Sequence, residues 1–404
     1  MQGFSRAFTQ FTLFALSVAA LFAALNIGGW PARFLIKLSE VRNWPFVVTP
    51  PPGFKPRVPL GFKVSVFARG FEVPRWLAVA PDGDVFVADS GAGKIITLAD
   101  HHPPGSADER FTFADGLRQP FGIAFLGDYV YVGDTDEILR FRFNASNSQR
   151  EGPPEHILDL PGRGYHQHWT RTLAFSPDGR KLFVSIGSRT NASVESDRRR
   201  GAILEADPDG KNAHVFASGL RNAVGIGFNP VSGQLWASVN ERDGLGDNLP
   251  ADYFTHVVRN GFYGWPYSYL GGHVDPRAWP QESDLVAKAL VPDLLLGAHV
   301  APLQFVFYEA RKFPSCYRHG AFIAEHGSWN RRRRAGYQVI FIPFRGGKPA
   351  GQPQSFFGGF VPNVLGKEVY GRIVGVAVAA DGSLLVSDDG ARLIWRVSYD
   401  GPMG

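Results

Sequence analysis

The sequence predicts an all-β protein: a six-bladed β-propeller preceded by an N-terminal membrane anchor or signal segment. Three observations carry this. First, a strand–turn–strand unit recurs. It reads RWLAVAPDGDVFVADSGAGKIITL from Arg75, QPFGIAFLGDYVYVGDTDEILRF from Gln119 and RTLAFSPDGRKLFVSIGS from Arg171, then NAVGIGFNPVSGQLWASVNE from Asn222 and GVAVAADGSLLVSDDGARLIWRV from Gly375. Second, 47 glycines and 30 prolines supply many turns, while 33 phenylalanines and 9 tryptophans suit pleated, half-buried surfaces better than helices. Third, 404 residues at 44% hydrophobic content can bury one large core and argue against disorder.

The elements follow in chain order. Residues 1–29 are the signal or anchor segment. Phe11 to Ile27 is almost wholly apolar after a single Arg6, long enough for a marginal membrane span and also suited to a signal-peptide core. The cleavage signal is poor, which favours an uncleaved anchor. Arg33, Lys37 and Arg42 follow it, so charge does not settle its orientation. Residues 30–60 read as a proline-rich linker, WPFVVTPPPGFKP being unpatterned. Residues 61–404 are the propeller. In each unit the runs flanking the PDG-type turn pair as a hairpin, and a further strand such as KIITL completes a blade. A more degenerate unit, APLQFVFY, GAFIAEHG and YQVIFIPF, brings the blades to six. The early strand Phe62 to Ala68 is expected to complete the last blade and close the ring.

Charge and cysteine content exclude several functions. A net charge of +5 is mild for this length, and no basic stripe with interleaved aromatics appears, so no nucleic-acid partner is expected. The single cysteine, Cys316, rules out an internal disulfide, and there is no CxxC or CxxCH for a cysteine-held zinc or an attached c-type haem. The chemistry-bearing residues gather before the inner strands. YHQHWTR (165–171) leads into the third unit; LRQP (117–120), GLRN (219–222), GAHVAP (297–302) and YGRIVG (370–375) lead into others. A propeller brings such lead-ins to one mouth of its channel. His166 and His168 are candidate pocket groups, with a loop histidine bonded to backbone as the bland alternative; His299 and His326 lie beside strands of the degenerate unit, with His326 a candidate for the pocket wall or a structural group. NGFYGWPY (260–267) is expected to pack aromatics beneath the site, with Trp265 or Tyr267 as alternative sugar-stacking groups.

At these residues the chain resembles the soluble quinoprotein glucose/sorbosone dehydrogenases, closest to the L-sorbosone dehydrogenase-like branch. The resemblance covers roughly Gly61 to Tyr399. It rests on HWTRTLAFSPDGRKLFVSIGS, GLRNAVGIGFNP, NERDGLGDNLPADYF with NGFYGWPY, GAFIAEHGSWNR with GYQVIFIPF, and GRIVGVAVAADGSLLVSDD. It implies a six-bladed propeller that uses pyrroloquinoline quinone (PQQ) and Ca2+ to oxidise a sugar or sugar-derived aldehyde. It implies His168 as general base, with Arg171 steadying developing charge. Gln119, Arg221, Asn222, Asn330, Arg331 and Arg372 would bind the cofactor, whose three carboxylates suit arginine forks. Where the family holds calcium in a Gly-Pro loop this chain has Asn240-Glu241-Arg242-Asp243, so Glu241 and Asp243 become the metal candidates, oxygen donors being right for a hard cation. A separate electron acceptor and a periplasmic location, tethered by residues 11–27 if uncleaved, complete the expectation. The alternatives are a calcium-dependent propeller lactonase and a non-catalytic carbohydrate- or protein-binding propeller.

Overall fold

The computed structural model describes residues 41–99, 105–144, 146–162 and 168–401, and the apolar run Phe11 to Ile27 and His166 lie outside these. Among the described residues the chain builds six four-stranded antiparallel sheets arranged as the repeats predict. Blade 1 is Pro74–Val79, Val85–Asp89, Lys94–Ala99 and Glu109–Ala114; blade 2 is Ile123–Leu126, Tyr129–Gly133, Glu137–Asn144 and Gln149–Asp159. Blade 3 is Arg171–Phe175, Leu182–Ile186, Ala202–Ala206 and His214–Ser218; blade 4 is Ala223–Phe228, Leu235–Val239, Ala251–His256 and Leu294–Ala298. Blade 5, the degenerate unit, is Pro302–Tyr308, Gly320–Glu325, Gln338–Ile342 and Gln354–Phe357. Blade 6 takes Ile373–Val378, Leu384–Asp388 and Leu393–Tyr399 from the C-terminal end and its outermost strand, Phe62–Arg69, from the start of the propeller. That strand pairs Phe62 with Tyr399 and Arg69 with Leu393, closing the ring as expected.

Apolar residues alternate to both faces of each blade, so the core is divided into six clusters, one between each pair of neighbouring blades. Phe86, Phe113 and Phe121 join blades 1 and 2; Phe183, Phe216 and Tyr253 join blades 3 and 4. The glycines of FGIAF, VGIGF and VGVAV have a packing reason. A Cβ at Gly122, Gly225 or Gly375 would strike the backbone carbonyl of Arg171, Leu303 or Arg75 on the next inner strand. Those inner strands therefore lie close around the axis. Ser387 Oγ donates to Arg75 O across the seam between blades 6 and 1. Gln304 of blade 5 reaches past blade 6, its Nε2 donating to Leu77 O at 2.7 Å and its Oε1 accepting from Leu77 N at 3.1 Å.

Residues 41–60, read from sequence as linker, run along the propeller. Phe46–Val47 pairs in parallel with Glu368–Val369, and Arg57 bridges Gly358. The prolines deny this segment a regular ladder of its own, which hid its attachment; it borrows carbonyls from blades 5 and 6 instead.

Candidate active site

A pocket of about 480 Å3 opens at the mouth of the channel. Four of the five predicted lead-ins reach it: His168 before blade 3, Arg221 and Asn222 before blade 4, His299 and Ala301 before blade 5, and Arg372 before blade 6. LRQP does not. Leu117 N donates to Gly93 O, Ser90 Oγ binds Pro120 O, and the Arg118 guanidinium turns outward to Asp136. Gln119, in the left-handed region at φ 51°, is exposed and not in the pocket wall. The remaining wall comes from Asn240, Glu241, Asp243 and Asp252 of blade 4, from His326, Gly327, Trp329 and Asn330 after the second strand of blade 5, and from Trp44.

His168 has a defined tautomer. Its Nδ1 lies 2.7 Å from Ser188 O, which can only accept, so Nδ1 carries the hydrogen. Nε2 keeps its lone pair, with no hydrogen-bond partner among the described residues. Gly187 makes room for this arrangement, because a Cβ there would collide with His168 Cβ and the Asn222 amide oxygen. Burial, followed by the nearby Arg221 guanidinium, holds the His168 ring well below the usual histidine range, against the opposing pull of the Ser188 bond; Arg171 and Arg200 add to the lowering. The imidazole is therefore neutral at neutral pH.

Arg171 lies beneath the pocket instead of in its wall. Its side chain is fully buried and donates to the carbonyls of His168 at 2.9 Å, Thr170 at 2.7 Å and Pro161 at 2.9 Å. As the first residue of an inner strand it points into the blade 2–blade 3 seam, so it braces the loop that carries His168.

Arg221 is anchored. Nη1 donates to Glu241 O at 2.7 Å; Nη2 reaches Asn191 Oδ1 at 3.1 Å and Asp243 Oδ2 at 3.2 Å; Nε donates to Asn191 O at 3.1 Å. Asn191 also takes the Asp243 backbone N–H at 2.8 Å and the Trp265 indole N–H at 2.9 Å. Trp265 is thus a buried support, and so is Tyr267; neither lines the pocket. Asn191 sits in a loop with no readable pattern, which is why sequence reading missed it. Asp243, one metal candidate, is committed to Arg221 and to Asn330 Nδ2. Asn330 Nδ2 also donates to His299 Nδ1 at 3.0 Å, while His299 Nε2–H donates to Gly246 O at 2.9 Å. Arg331, next in sequence, leaves the site: its guanidinium binds Ala298 O at 3.0 Å.

Three wall atoms are buried without a partner: Glu241 Oε1, Asn222 Oδ1 and Arg372 Nε. Buried polar groups are normally satisfied, so such a concentration marks a place for a polar ligand. Burial pushes the Glu241 carboxyl up to about 7, and does the same for Asp252. Burial also lowers the Arg372 guanidinium, although Asp389 opposes this. Near it, His326 Nε2 donates to Asp389 at 3.0 Å, and Asp389 pairs with the nearly buried Arg75. Burial drives the His326 ring down to about 4, helped by Arg372. Asp389 is held well below the carboxylate range: burial acts to raise it, but His326, Arg75 and Arg372 prevail. Among the described residues no group of three His, Cys, Asp or Glu side chains is set to enclose a metal by itself.

Fold and site together define a propeller with a cationic, histidine-bearing pocket at the mouth of its channel. The TrAA12-like family matches residues 56–254 and 278–400, and the chain belongs to that family. A protein of Borreliella burgdorferi is 29% identical over 356 residues, spanning 85% of this chain and 91% of its own. A pyrroloquinoline quinone-dependent pyranose dehydrogenase of Coprinopsis cinerea is 25% identical over 73% of this chain; the match spans 46% of that enzyme's length. A solved structure of the Trichoderma reesei carbohydrate-active enzyme family AA12 superposes with a TM-score of 0.74 at 20% identity, covering 88% of this chain and 99% of the other, and supports the fold.

Proposed function

We propose that this protein is a quinoprotein oxidoreductase that oxidises the CH–OH group of a sugar or sugar-derived aldehyde, with PQQ and Ca2+ as cofactors. One observation carries the reading. Among the described residues, a histidine with an unshared Nε2 lone pair lines the same pocket as a half-buried arginine with an unpartnered Nε and two orphaned oxygens. The named activity of the Coprinopsis relative agrees with it. The donor set fits both groups. Arg372 suits a carboxylate of PQQ, the anchored Arg221 adds positive charge to the same pocket, and Asn222 and Asn330 suit its remaining polar edge. Glu241 Oε1 and Asn222 Oδ1 suit a hard cation completed by other oxygens. When bound, the cofactor supplies an electrophilic quinone carbonyl that accepts hydride, and calcium polarises it.

The chain's own residues do the rest. Ser188 O fixes the His168 tautomer, so Nε2 takes the proton of the sugar hydroxyl as the C–H pair of electrons leaves. One proton and one hydride leave per turnover, and a carbonyl remains on the sugar. Arg171 keeps the His168 loop in register. Asn191 locks Arg221 and Asp243, so little reorganisation is needed on binding. We further propose that electrons pass to a separate acceptor and that the enzyme works in the periplasm, tethered by residues 11–27. Among the described residues no helix is long and apolar enough to cross a membrane.

The test is reconstitution of the chain from Val41 onward. PQQ with Ca2+ should raise its melting temperature and change the cofactor absorbance. Dye reduction should then follow on a panel of pyranoses, other aldoses and sorbosone. A protein that gives neither response to PQQ would end this reading.

A further inference from the structure

The mouth carries an aromatic pair that the reaction does not use. Trp44 and Trp329 stack with centroids 4.4 Å apart and planes 12° from parallel, and both line the pocket. Trp44 comes from the segment ahead of the propeller and leaves 55% of its surface in solvent. Single exposed apolar side chains are ordinary, but this one is held in place. Asn43 N donates to Trp329 O at 2.7 Å, and its amide reaches Arg331 O and Arg332 O at 3.2 Å each. Arg334, itself buried, donates to Asn43 O at 3.0 Å and Trp44 O at 3.3 Å. Phe46 N and Val48 N continue the attachment through Lys367 O and Val369 O. A buried guanidinium and a run of backbone bonds thus fix an indole that stays half exposed.

We propose that Trp44, backed by Trp329, forms an outer carbohydrate subsite, so that the substrate carries at least one sugar ring beyond the one oxidised. This rests on the sugar-oxidising reading above and names its substrate class. A pyranose has one face of axial C–H bonds and an edge of hydroxyls. A fixed indole at the rim accepts the C–H face while the hydroxyls stay in water. The groups suited to the chemistry, His168, Glu241 and Arg372, belong to the lead-ins and strands of blades 3, 4 and 6 and are half-buried or buried, where Trp44 is mostly exposed. A ring lying on the half-exposed indole is therefore not the ring being oxidised. The reducing end would enter the pocket and the next ring would rest on Trp44.

Two measurements test this, using glucose, cellobiose and maltose. In cofactor-free protein, quenching of tryptophan fluorescence gives a Kd for each sugar. In the PQQ-loaded protein, dye reduction gives kcat/KM. At least one disaccharide should bind more tightly than glucose without cofactor. Trp44→Ala should lower the disaccharide-to-glucose ratio of kcat/KM, and of affinity, by about 2- to 13-fold, the worth of one aromatic stack. Trp44→Phe should restore much of that ratio. Glucose binding as well as either disaccharide would overturn the proposal. So would an equal loss for all three sugars in Trp44→Ala, which is what a merely unmoored strap gives. If no sugar reduces the dye, the oxidoreductase reading fails while the binding measurement still decides the subsite.

Discussion

Replacing His168 with glutamine separates base catalysis from folding. A glutamine amide can still donate to Ser188 O, the bond that Nδ1 makes at 2.7 Å, so the loop keeps its tie. What is lost is a proton acceptor. A positioned general base is worth about 10²- to 10⁴-fold in rate, and that is the expected fall in kcat. Cofactor affinity should change little, because Arg221, Asn222 and Arg372 are untouched. Rapid mixing of loaded protein with excess sugar, followed by absorbance, reads the oxidation step directly. A companion titration follows the His168 ring by NMR in the cofactor-free protein. Burial and the Arg221 guanidinium hold that ring low, so its inflection should fall well under the ordinary value near 6.5 and rise in Arg221→Gln. A fall in kcat of less than tenfold, or an inflection at or above 6.5, would refute the reasoning.

Three further outcomes follow from the same geometry. Arg372→Gln removes a charge-assisted partner for a cofactor carboxylate and should weaken PQQ binding about 10- to 150-fold by fluorescence titration. Burial raises the Glu325 carboxyl to about 8 from an ordinary value of 4.5, so the unfolded chain sheds this proton long before the folded one does. Its contribution is greatest below pH 4.5 and is lost as pH rises toward 8; Glu325→Gln should therefore raise the melting temperature at pH 8 far more than at pH 5. Deleting the Phe62–Arg69 strand removes the buried Phe67 and leaves Leu393–Tyr399 as an open edge. Losing buried Phe62 and Phe67, at about 3–5 kcal/mol each, is comparable with the roughly 5–15 kcal/mol that holds a domain folded, so calorimetry should show a greatly weakened cooperative transition or none.

The propeller was legible because its unit repeats: a PDG turn or a looser glycine-bearing variant marks most hairpins, and alternation marks the strands. Even the closing strand could be read, since Phe62 to Ala68 had an apolar pattern and no blade of its own. Blade 5 was harder, because its turns lack the PDG signature. Of the site, the lead-ins that carry His168, Arg221, Asn222 and Arg372 were legible because they recur at the same point of the unit, just before an inner strand, while the roles expected of these residues came from the family resemblance; the structure lines one pocket with all four. The resemblance put Arg171 and Gln119 at the site as well, and neither lines the pocket. Position in the repeat says which end of the channel a residue occupies, not whether its side chain turns to the pocket, to a seam or to solvent. Arg171 turns into a seam where three carbonyls wait; Gln119 follows Arg118, which Asp136 draws outward. Arg331 missed because Ala298 O captures its guanidinium. Trp44, Asn191 and Asp389 act through partners far away in sequence, and no local pattern announces such pairings.

The ring's closure sets an order on synthesis. The strap around Trp44 bonds to Trp329 and to residues 367–369, and Phe62–Arg69 pairs with Leu393–Tyr399. Everything from Asn43 to Arg69 thus waits for partners made roughly 300 residues later. At about 5–20 residues per second that delay is roughly 15 to 60 seconds. During it, a strand with Phe62 and Phe67 and an indole at Trp44 stand unsheltered on the nascent chain. The part of the protein that makes the finished ring seamless is the part most in need of a chaperone while the ring is being made.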